Sequence, residues 1–210
     1  MLIFDFFSGT GSSTQAFKDA GHTVISFELS PEFDATHNVD MFDITSEWLY
    51  KTYGTPDFIW ASPPCTAFSV ASMGHHWTGG NRAYEPKTEM ALTSQKLVAH
   101  VRNIIEDLSP TYGFLIENPR GMLRKLPVVD GLPRNTITYC TYGDERMKPT
   151  DLWGSVENWE PRKPCKNGDK CHVSAPRGSR TGTQGIKGAR DRSRVPYELG
   201  LELLDSITKK

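Results

Sequence analysis

The sequence predicts an α/β fold in which a doubly wound, mostly parallel sheet carries an antiparallel hairpin at one edge. The first observation is the order of strand, glycine turn, helix and strand over residues 2–28, which matches the first half of a doubly wound sheet. The second is a pair of apolar, strand-like runs, 58–61 and 112–116, separated by a segment with helical spacing of apolar residues at 88–108. Strands that alternate with helices are typical of parallel sheets.

The N-terminal unit is the most regular part of the pattern. Residues 2–7 predict a first strand, and Gly9 and Gly11 lie in the tight turn that follows it. Residues 13–20 then predict a helix, and residues 22–28 a second strand. The glycines let the backbone approach a ligand, and the helix N-terminus offers free N–H groups. The full G-x-G-x-x-G pattern of dinucleotide-binding proteins is absent, which argues against a nicotinamide dehydrogenase.

The middle of the chain predicts less regular structure. Residues 39–44 are interpreted as the end of a third strand, where Asp43 either faces a ligand or caps the helix that begins near Ser46. Residues 66–88 show neither helical nor strand spacing, and such a long loop in a compact domain is usually functional or disordered. We therefore expect a lid that closes over a bound substrate. His100, within the long helix, is expected to be a surface or packing residue.

The C-terminal half predicts the hairpin and a last helix. The strand at 112–116 runs into a polar cluster at 117–121. Residues 136–142 alternate as a strand does, and residues 149–154 predict a short antiparallel partner. Residues 196–207 predict a final amphipathic helix.

Length and composition restrict the class of protein. A chain of 210 residues suits one sizeable domain. No apolar run approaches the ~20 residues that span a bilayer, and the N-terminus has no positively charged lead. The four widely spaced cysteines indicate a cytoplasmic protein with free or metal-bound thiols rather than a disulfide scaffold. We expect a monomer that does not bind membranes.

The net charge of −1 conceals an uneven distribution. Residues 1–60 hold nine acidic and two basic side chains, a balance of −7, whereas residues 162–194 hold ten basic and two acidic ones, a balance of +8. The acidic half suits a neutral or cationic ligand, and the basic segment suits a polyanion such as nucleic acid. A solvated basic loop with no partner is the alternative.

Cys65 follows two consecutive prolines at the end of the strand-like run 58–61. The prolines fix the backbone before the sulfur, and ligands bind at the carboxyl ends of strands in open α/β sheets. Cys65 is therefore either a nucleophile or a buried structural cysteine.

Five motifs, in this order along the chain, resemble those of the C5-cytosine DNA methyltransferases. Residues 5–12 resemble the family's cofactor turn D-x-F-x-G-x-G-G, with serine in place of the last glycine, and residues 64–69 match its P-C-x-x-F-S. Residues 117–119 match E-N-V with proline for valine. Arg146 alone is retained from Q-x-R-x-R, and residues 193–196 resemble N-x-V-P with serine for asparagine.

The resemblance implies a Rossmann-like methyltransferase fold with S-adenosylmethionine as methyl donor and S-adenosylhomocysteine as product. By this resemblance Glu28 binds the ribose of the donor and Asp43 its adenine. The residues expected to line the donor are Phe7, Ser8, Gly9, Gly11, Glu28, Asp43, Ile44, Pro64 and Ser193.

The resemblance also implies a covalent mechanism on a flipped-out cytosine. Cys65 adds to carbon 6, Glu117 acts as general acid at ring N3, and Arg146 contacts the base carbonyl or a phosphate. Because the thiolate is the reacting form, we expect the site to lower the pKa of Cys65. The residues expected to contact the substrate are Phe68, Ser69, Asn118, Lys148, Arg177 and Arg180.

The chain departs from the family pattern in its length. About forty residues fill the position of the family's large target-recognition domain. We divide the chain into a catalytic domain at 1–154, a basic insert at 155–190 that contacts DNA, and a C-terminal helix at 191–210 that packs on the catalytic domain. The short insert predicts double-stranded DNA as partner with a very short recognition site, as in a compact phage enzyme.

Metal binding is not predicted by the cysteine spacing. Cys165, Cys171 and His172, with Cys140 as a further candidate, do not follow a standard zinc pattern. The adjacency of Cys171 and His172 also argues against joint tetrahedral ligation. We therefore expect no metal, with zinc at these residues as the weaker hypothesis.

Three other functions remain open from the sequence. An RNA substrate is compatible with every motif. An amino-methyltransferase of the N4-cytosine type is suggested by Ser62-Pro63-Pro64, although Cys65 stands where such enzymes have an aromatic residue. A non-catalytic DNA-binding protein on the same fold needs no thiol at all.

Overall fold

The structure is a computed structural model that describes residues 1–81, 83–173 and 188–209. Its strands are β1 Leu2–Phe6, β2 Thr23–Glu28, β3 His37–Asn38, β4 Phe58–Ala61, β5 Trp77–Gly80, β6 Ala83–Pro86, β7 Phe114–Pro119, β8 Arg134–Thr138 and β9 Pro149–Trp153. Its α-helices are α1 Gln15–Asp19, α2 Ser46–Tyr53, α3 Met73–His76, α4 Glu89–Leu108, α5 Ala189–Ser193 and α6 Tyr197–Thr208.

Seven strands form one sheet in the order β3-β2-β1-β4-β7-β9-β8. The pairs β2–β3, β1–β2, β1–β4 and β4–β7 are parallel. β9 lies between β7 and β8 at one end of the sheet, and it runs antiparallel to both of them. The predicted doubly wound sheet with an antiparallel edge is confirmed.

Each face of the sheet carries its own apolar core, because successive side chains of a strand point to opposite faces. On one face Phe4, Ile59 and Ile116 lie in the cluster that includes the apolar side of α4. On the other face Trp60 lies with residues of α1 and α6, among them Leu199. Helices therefore cover both faces of the described sheet, as a doubly wound fold requires.

α6 approaches α1 closely at Gly200. A β-carbon built on Gly200 would lie 3.2 Å from the Cβ of Ala16, which is tighter than ordinary packing. Glycine at this position lets the C-terminal helix rest directly beside the glycine turn. The division of the chain into a catalytic domain, a basic insert and a C-terminal helix stays a prediction.

The segment predicted to be an irregular lid contains regular structure, and that expectation is wrong for residues 73–86. α3 leads into the antiparallel pair β5–β6. Trp77 at its base is buried, and its indole N–H donates to the carbonyl of Ala67 at 2.7 Å. His76 Nδ1 lies 2.8 Å from Thr88 Oγ1 at the start of α4. Two side chains, Trp77 and His76, therefore fix the base of the hairpin. Its strands are too short to give a recognisable alternation in the sequence.

Strand ends also differ from the sequence expectation. β7 continues through Pro119 because β9 pairs with it as far as Thr150, so the polar cluster begins inside a strand. Residues 139–142 form a 3₁₀ turn that ends at Gly143, which has a φ of 85°. The third strand is the two-residue β3, and Met41–Asp43 is also a 3₁₀ turn.

The insert after β9 packs on the catalytic body over residues 155–173. Val156 forms a β-bridge with Gly113, and the backbone N–H of Cys165 donates to Thr138 Oγ1 at 2.9 Å. The predicted DNA contacts Arg177 and Arg180 lie outside the described residues. None of the helices described in the structure has the length and apolar character needed to cross a membrane.

Candidate active site

The buried carboxylate of Asp5 stabilises the glycine turn. Asp5, at 0% exposure in β1, accepts hydrogen bonds from the hydroxyls of Ser13, at 2.9 Å, and Thr14, at 2.7 Å. Burial raises the pKa of Asp5 to about 6, although the two hydroxyls oppose that shift. The two bonds fix the start of α1 relative to β1, and therefore the shape of the turn between them.

The turn itself has a left-handed backbone. Phe7, Gly9 and Gly11 have φ values of 61°, 47° and 70°. Phe7 is a non-glycine residue in this region, a conformation that is uncommon and often found at functional sites. Ser8, which is buried, donates its N–H to the carbonyl of Phe27 at 3.0 Å. No atom in the described residues lies within 4 Å of a β-carbon built on Gly9, so the space beside the turn is open to a ligand.

Glu28 ends β2 directly opposite this turn. Its Oε2 accepts the backbone N–H of Gly9 at 2.9 Å, and its Oε1 accepts that of Ser30 at 3.1 Å. The carboxylate is thus oriented at the mouth of the turn, where an acid can accept hydrogen bonds from ribose hydroxyls.

Asp43 lies at the end of a 3₁₀ turn and is exposed. It does not cap α2, because the side chain of Thr45 accepts the capping bond from Trp48 at 3.2 Å. Ile44 is buried, and its carbonyl lies 3.0 Å from His100 Nε2. His100 therefore supports this turn from α4, in agreement with its predicted packing role, and the Asp43 carboxylate is left free to meet a ligand.

The Cys65 loop is tied to the strand that carries Glu117. The buried Asn118 donates its side-chain N–H to the carbonyl of Pro63 at 2.9 Å. The carbonyl of Cys65 accepts N–H bonds from Phe68 and Ser69, at 2.9 and 3.0 Å, which closes a turn around the thiol. Cys65 is partly exposed at this loop.

Two residues predicted to contact the substrate anchor the loop instead. Phe68 is completely buried, stacks on Trp77 with ring centroids 6.0 Å apart, and accepts the N–H of Met122 on its carbonyl at 2.7 Å. The hydroxyl of Ser69 lies 2.8 Å from that of Ser72. Pro64 is exposed beside the thiol, as a ligand contact requires. Substrate contact by Phe68 and Ser69 stays a prediction that this conformation does not favour.

Glu117 is buried next to a tyrosine and a lysine. Its Oε1 accepts the hydroxyl of Tyr139 at 2.9 Å and lies 4.0 Å from Lys148 Nζ. The same ammonium group lies 4.3 Å from the centre of the Tyr139 ring. Burial lowers the pKa of Lys148, and Glu117 opposes this shift. Burial also raises the pKa of Tyr139 well above its usual value, so the tyrosine stays a hydrogen-bond donor.

The thiol is not activated in this arrangement, contrary to the expectation of a lowered pKa. Burial raises the pKa of Cys65, and the negative charge of Glu117 raises it further. The positive charges of Lys148 and Arg192 act in the opposite direction. Burial and the Glu117 carboxylate therefore both oppose ionisation of this thiol, and the two basic side chains favour it.

Arg146, the predicted third catalytic residue, is engaged elsewhere. It forms an ion pair with Asp144, and its Nη1 donates to the carbonyls of Asp191 and Arg192 at 3.0 and 3.1 Å. It holds the C-terminal segment beside the site, and its contact with a base stays a prediction. Ser193 is exposed, and its hydroxyl donates to the carbonyl of Arg190 at 2.8 Å.

The C-terminal segment reaches the glycine turn two residues further along, at Val195. The N–H of Val195 donates to Ser12 Oγ at 3.0 Å, at the position where the family turn has glycine. A cavity of about 610 Å³ opens between the turn and this segment. It is lined by Thr10, Ser12, Gln15, Tyr142, Gly143, Asp144, Arg146, Arg194, Val195, Pro196, Tyr197 and Glu198.

The sequence of this chain is similar to those of known proteins. The sequence model for "C-5 cytosine-specific DNA methylase" matches residues 1–127. The chain belongs to this family. A "Probable DNA (cytosine-5)-methyltransferase" of Frog virus 3 is 31% identical over 226 residues, which cover 98% of this chain and 99% of the viral protein.

One solved structure supports the fold alone. A methyltransferase of Entamoeba histolytica, EhMeth, has a TM-score of 0.54 at 13% identity and covers 85% of this chain. The Dnmt2 methyltransferase of S. pombe has a TM-score of 0.48 at 13% identity, over 78% of the chain. The present chain spans just over half the length of these two proteins, 57% and 51%.

The family uses S-adenosylmethionine as methyl donor, and the residues present fit it. The open space beside Gly9 and the oriented carboxylate of Glu28 suit a nucleoside. An exposed acid at Asp43 is available for an amino group. When bound, this donor supplies a methyl group on a positively charged sulfur, which an acidic surrounding attracts.

Sequence reasoning missed one member of the site and gave a second one a different role. Tyr139 was interpreted as one residue of an alternating strand, and nothing in a lone tyrosine predicts a bond to Glu117. Lys148 was predicted to contact substrate, whereas the structure places its charge within 4.0 Å of Glu117. Lys148 stands where the family motif Q-x-R-x-R has its last arginine. This position is the only signal in the sequence for a basic group beside Glu117.

Proposed function

We propose that this protein methylates carbon 5 of cytosine in double-stranded DNA through a temporary bond to Cys65, acting as a monomer. The observation that carries the proposal is the bond from Asn118 to Pro63. It joins the loop of a partly exposed thiol to the strand that bears a buried carboxyl, Glu117. A nucleophile and an acid are thereby held at one end of the sheet.

The chemistry needs both groups because carbon 5 of cytosine is a poor nucleophile. Addition of the Cys65 thiolate to carbon 6 turns carbon 5 into an enamine carbon, which then receives the methyl group. A protonated Glu117, hydrogen-bonded to ring N3, neutralises the negative charge that develops on the ring during the addition. Loss of the carbon 5 proton to a base then expels the Cys65 thiolate and restores the ring.

One proton on Glu117 serves two purposes in this scheme. It supplies the hydrogen bond to N3, and it removes the negative charge that raises the pKa of Cys65. Lys148 and Arg192 are then the charges left to act on the thiol, and both favour the thiolate. Tyr139, bonded to Oε1 of Glu117, fixes the carboxyl so that its other oxygen can face the base.

The target base must leave the DNA stack to reach a thiol at this depth. The hairpin β5–β6, fixed at its base by Trp77, follows the Cys65 loop directly and is suited to cover an extruded base. The basic insert is short, and we propose that it holds the DNA backbone and reads a very short sequence. Base-resolved methylation sequencing of treated DNA checks this, and a strict site of six or more bases would contradict it.

The covalent step is tested with DNA that contains 5-fluorocytosine. Fluorine takes the place of the carbon 5 proton that a base must remove before the thiolate is expelled. The adduct on Cys65 therefore accumulates and survives denaturation. We expect Cys65→Ser to form no adduct and to transfer no tritiated methyl group, while its melting curve and its donor affinity by calorimetry stay unchanged.

The same assay separates the competing functions. An amino-methyltransferase would methylate DNA without forming the adduct. A DNA-binding protein without catalysis would transfer no methyl group in the wild type. Parallel reactions with RNA of the same sequence decide between the two nucleic acids, and a preference for RNA would overturn the DNA assignment.

A further inference from the structure

Four side chains outside the active site converge where the insert meets the catalytic body. The ligand atoms of Cys140, Cys165, Cys171 and His172 all lie within 4.8 Å of one another. Cys140 belongs to the 3₁₀ turn after β8, and the other three come from the insert. Residues far apart in sequence are thus brought to one point.

Three of the distances in this cluster, 3.5–3.6 Å, are close to those of a tetrahedral site, and the Cys140–Cys165 distance is shorter. The Cys140 sulfur lies 3.1 Å from that of Cys165 and 3.6 Å from that of Cys171. His172 Nδ1 lies 3.6 Å from the Cys165 sulfur and 3.5 Å from that of Cys171. Ligands of a zinc ion at ~2.3 Å for sulfur and ~2.0 Å for nitrogen stand roughly 3.5–3.8 Å apart at the corners of a tetrahedron.

We propose that this protein binds one zinc ion through Cys140, Cys165, Cys171 and His172, as a structural site that fastens the insert to the catalytic body. Three thiolates and one imidazole form a ligand set typical of closed structural zinc sites, and soft thiolates disfavour Mg²⁺ and Ca²⁺. This corrects the sequence expectation. The adjacent Cys171 and His172 both direct a ligand atom into the same cluster, so their adjacency is no obstacle.

The local fold explains why a metal is useful here. Residues 166–171 are all exposed, and no apolar side chain is fully buried over residues 157–173, the described part of the insert after Val156. Hydrogen bonds dock it on the body, among them those from the N–H of Arg162 to the hydroxyl of Tyr142 at 2.8 Å and from the N–H of Cys165 to Thr138 at 2.9 Å. A metal supplies the stabilisation that a small apolar core does not.

A disulfide is the competing interpretation of the same cluster. The Cys140 and Cys165 sulfurs are 3.1 Å apart, longer than the ~2.05 Å of an S–S bond, and all four cysteines of the chain are free. A disulfide would use two of the four groups and leave Cys171 and His172 without a purpose.

The test is the metal content of the protein purified without chelator. Mass spectrometry of the metals is expected to give about one zinc per chain. Cys171→Ser and His172→Ala are expected to lose it. Cys65→Ser and His75→Ala are the matched controls, because they remove a thiol and an imidazole outside the cluster, and they are expected to keep it.

A second measurement decides the matter if the variants do not fold. After zinc is removed by a chelator, titration of the wild type with Co²⁺ is expected to produce the visible bands of tetrahedral thiolate coordination, saturating at about one equivalent. Trypsin is expected to cleave the insert faster in the chelated protein, and added zinc to restore protection.

Two results would overturn the proposal. One is a protein without zinc that also gives no tetrahedral Co²⁺ spectrum. The other is a Cys140–Cys165 disulfide found by mass spectrometry after alkylation without reductant. Neither result bears on methyl transfer, because Cys65→Ser separates the two properties.

Discussion

The charges around Cys65 act in opposite directions on its ionisation. Glu117 raises the pKa of the thiol, and Lys148 lowers it. The two charged groups lie 4.0 Å apart and share Tyr139 as a neighbour. Burial has the largest effect on the pKa of the thiol and raises it, and the carboxyl and ammonium groups then act on it in opposite directions.

Replacement of Lys148 by methionine tests this balance. The variant removes a positive charge that favours the thiolate, so the pKa of Cys65 should rise and the pH profile of adduct formation should move to higher pH. At neutral pH we expect roughly tenfold slower adduct formation, the scale of a nearby opposite charge. Pre-steady-state trapping with 5-fluorocytosine DNA across a pH series measures it.

Lys148→Arg is the matched control, because it keeps the positive charge and should restore most of the rate. An unchanged pH profile in Lys148→Met, with adduct formation still normal at neutral pH, would show that the ammonium group does not act on the thiol.

At this scale the sequence predicted the reacting groups but not their surroundings. Cys65 and Glu117 are recognisable because each lies in a motif with few alternatives. Tyr139 and Asp5 are not, since a tyrosine and an aspartate in strand-like runs have no distinctive spacing. Their roles depend on contacts between residues far apart in sequence. One example is the hydrogen bond between Glu117 and Tyr139, which are separated by 22 positions.

The strand β9 stabilises β7, the strand that carries Glu117 and Asn118. It pairs Asn118 of β7 with Asp151. Asp151 is completely buried, forms an ion pair with Arg124, and accepts the hydroxyl of Thr136 at 2.7 Å. The network links β9, β8 and the turn after β7, so the geometry of Asn118 depends on a charge pair at the back of the sheet.

Replacement of Arg124 by methionine should therefore destabilise the whole fold. It leaves the Asp151 carboxylate buried with only a hydroxyl as partner, and loss of one member of a buried pair costs about 3 kcal/mol. Chemical denaturation monitored by tryptophan fluorescence gives the change in the free energy of unfolding.

Lys51→Met is the control, because it breaks an exposed pair with Glu47 on α2, for which less than about 1 kcal/mol is expected. Equal effects of the two substitutions would contradict the structural role assigned to the buried pair.

Elements with a long periodic pattern were predicted well, and short ones were not. α4 has five turns of consistent apolar spacing, and the structure gives it bounds of Glu89–Leu108, within one residue of the prediction. The hairpin β5–β6 has four residues in each strand and three glycines or asparagines at its tip. So short a strand carries too few alternations to be distinguished from a loop.

The molecule as a whole separates its charges. The acidic side chains outnumber the basic ones over the first sixty residues, and the basic residues concentrate in the insert and the segment before α6. Among the described basic residues, Arg162 is bound to Glu198 and Glu202, so part of this charge is structural. Lys163, Lys166 and Lys170 are exposed and available to phosphates.

DNA affinity should consequently fall steeply with salt. Each phosphate that a basic residue neutralises contributes about −0.9 to the slope of log K against log salt concentration. The double substitution Arg177→Gln and Arg180→Gln is expected to reduce the slope by up to about 2 units. Fluorescence anisotropy with labelled duplex DNA over a salt series measures both quantities.

Lys51→Gln, on the acidic half, should leave the salt slope unchanged. An unaltered slope in the double variant would remove Arg177 and Arg180 from the DNA contact.

The bond between Ser12 and Val195 joins positions 183 residues apart. It has a consequence for synthesis on the ribosome. The first strand and its turn emerge early, but one wall of the neighbouring cavity belongs to residues 194–198. A nascent chain that has reached only the cluster of Cys140, Cys165, Cys171 and His172 therefore lacks that wall, and the cavity becomes complete only after residues 194–198 have been synthesised.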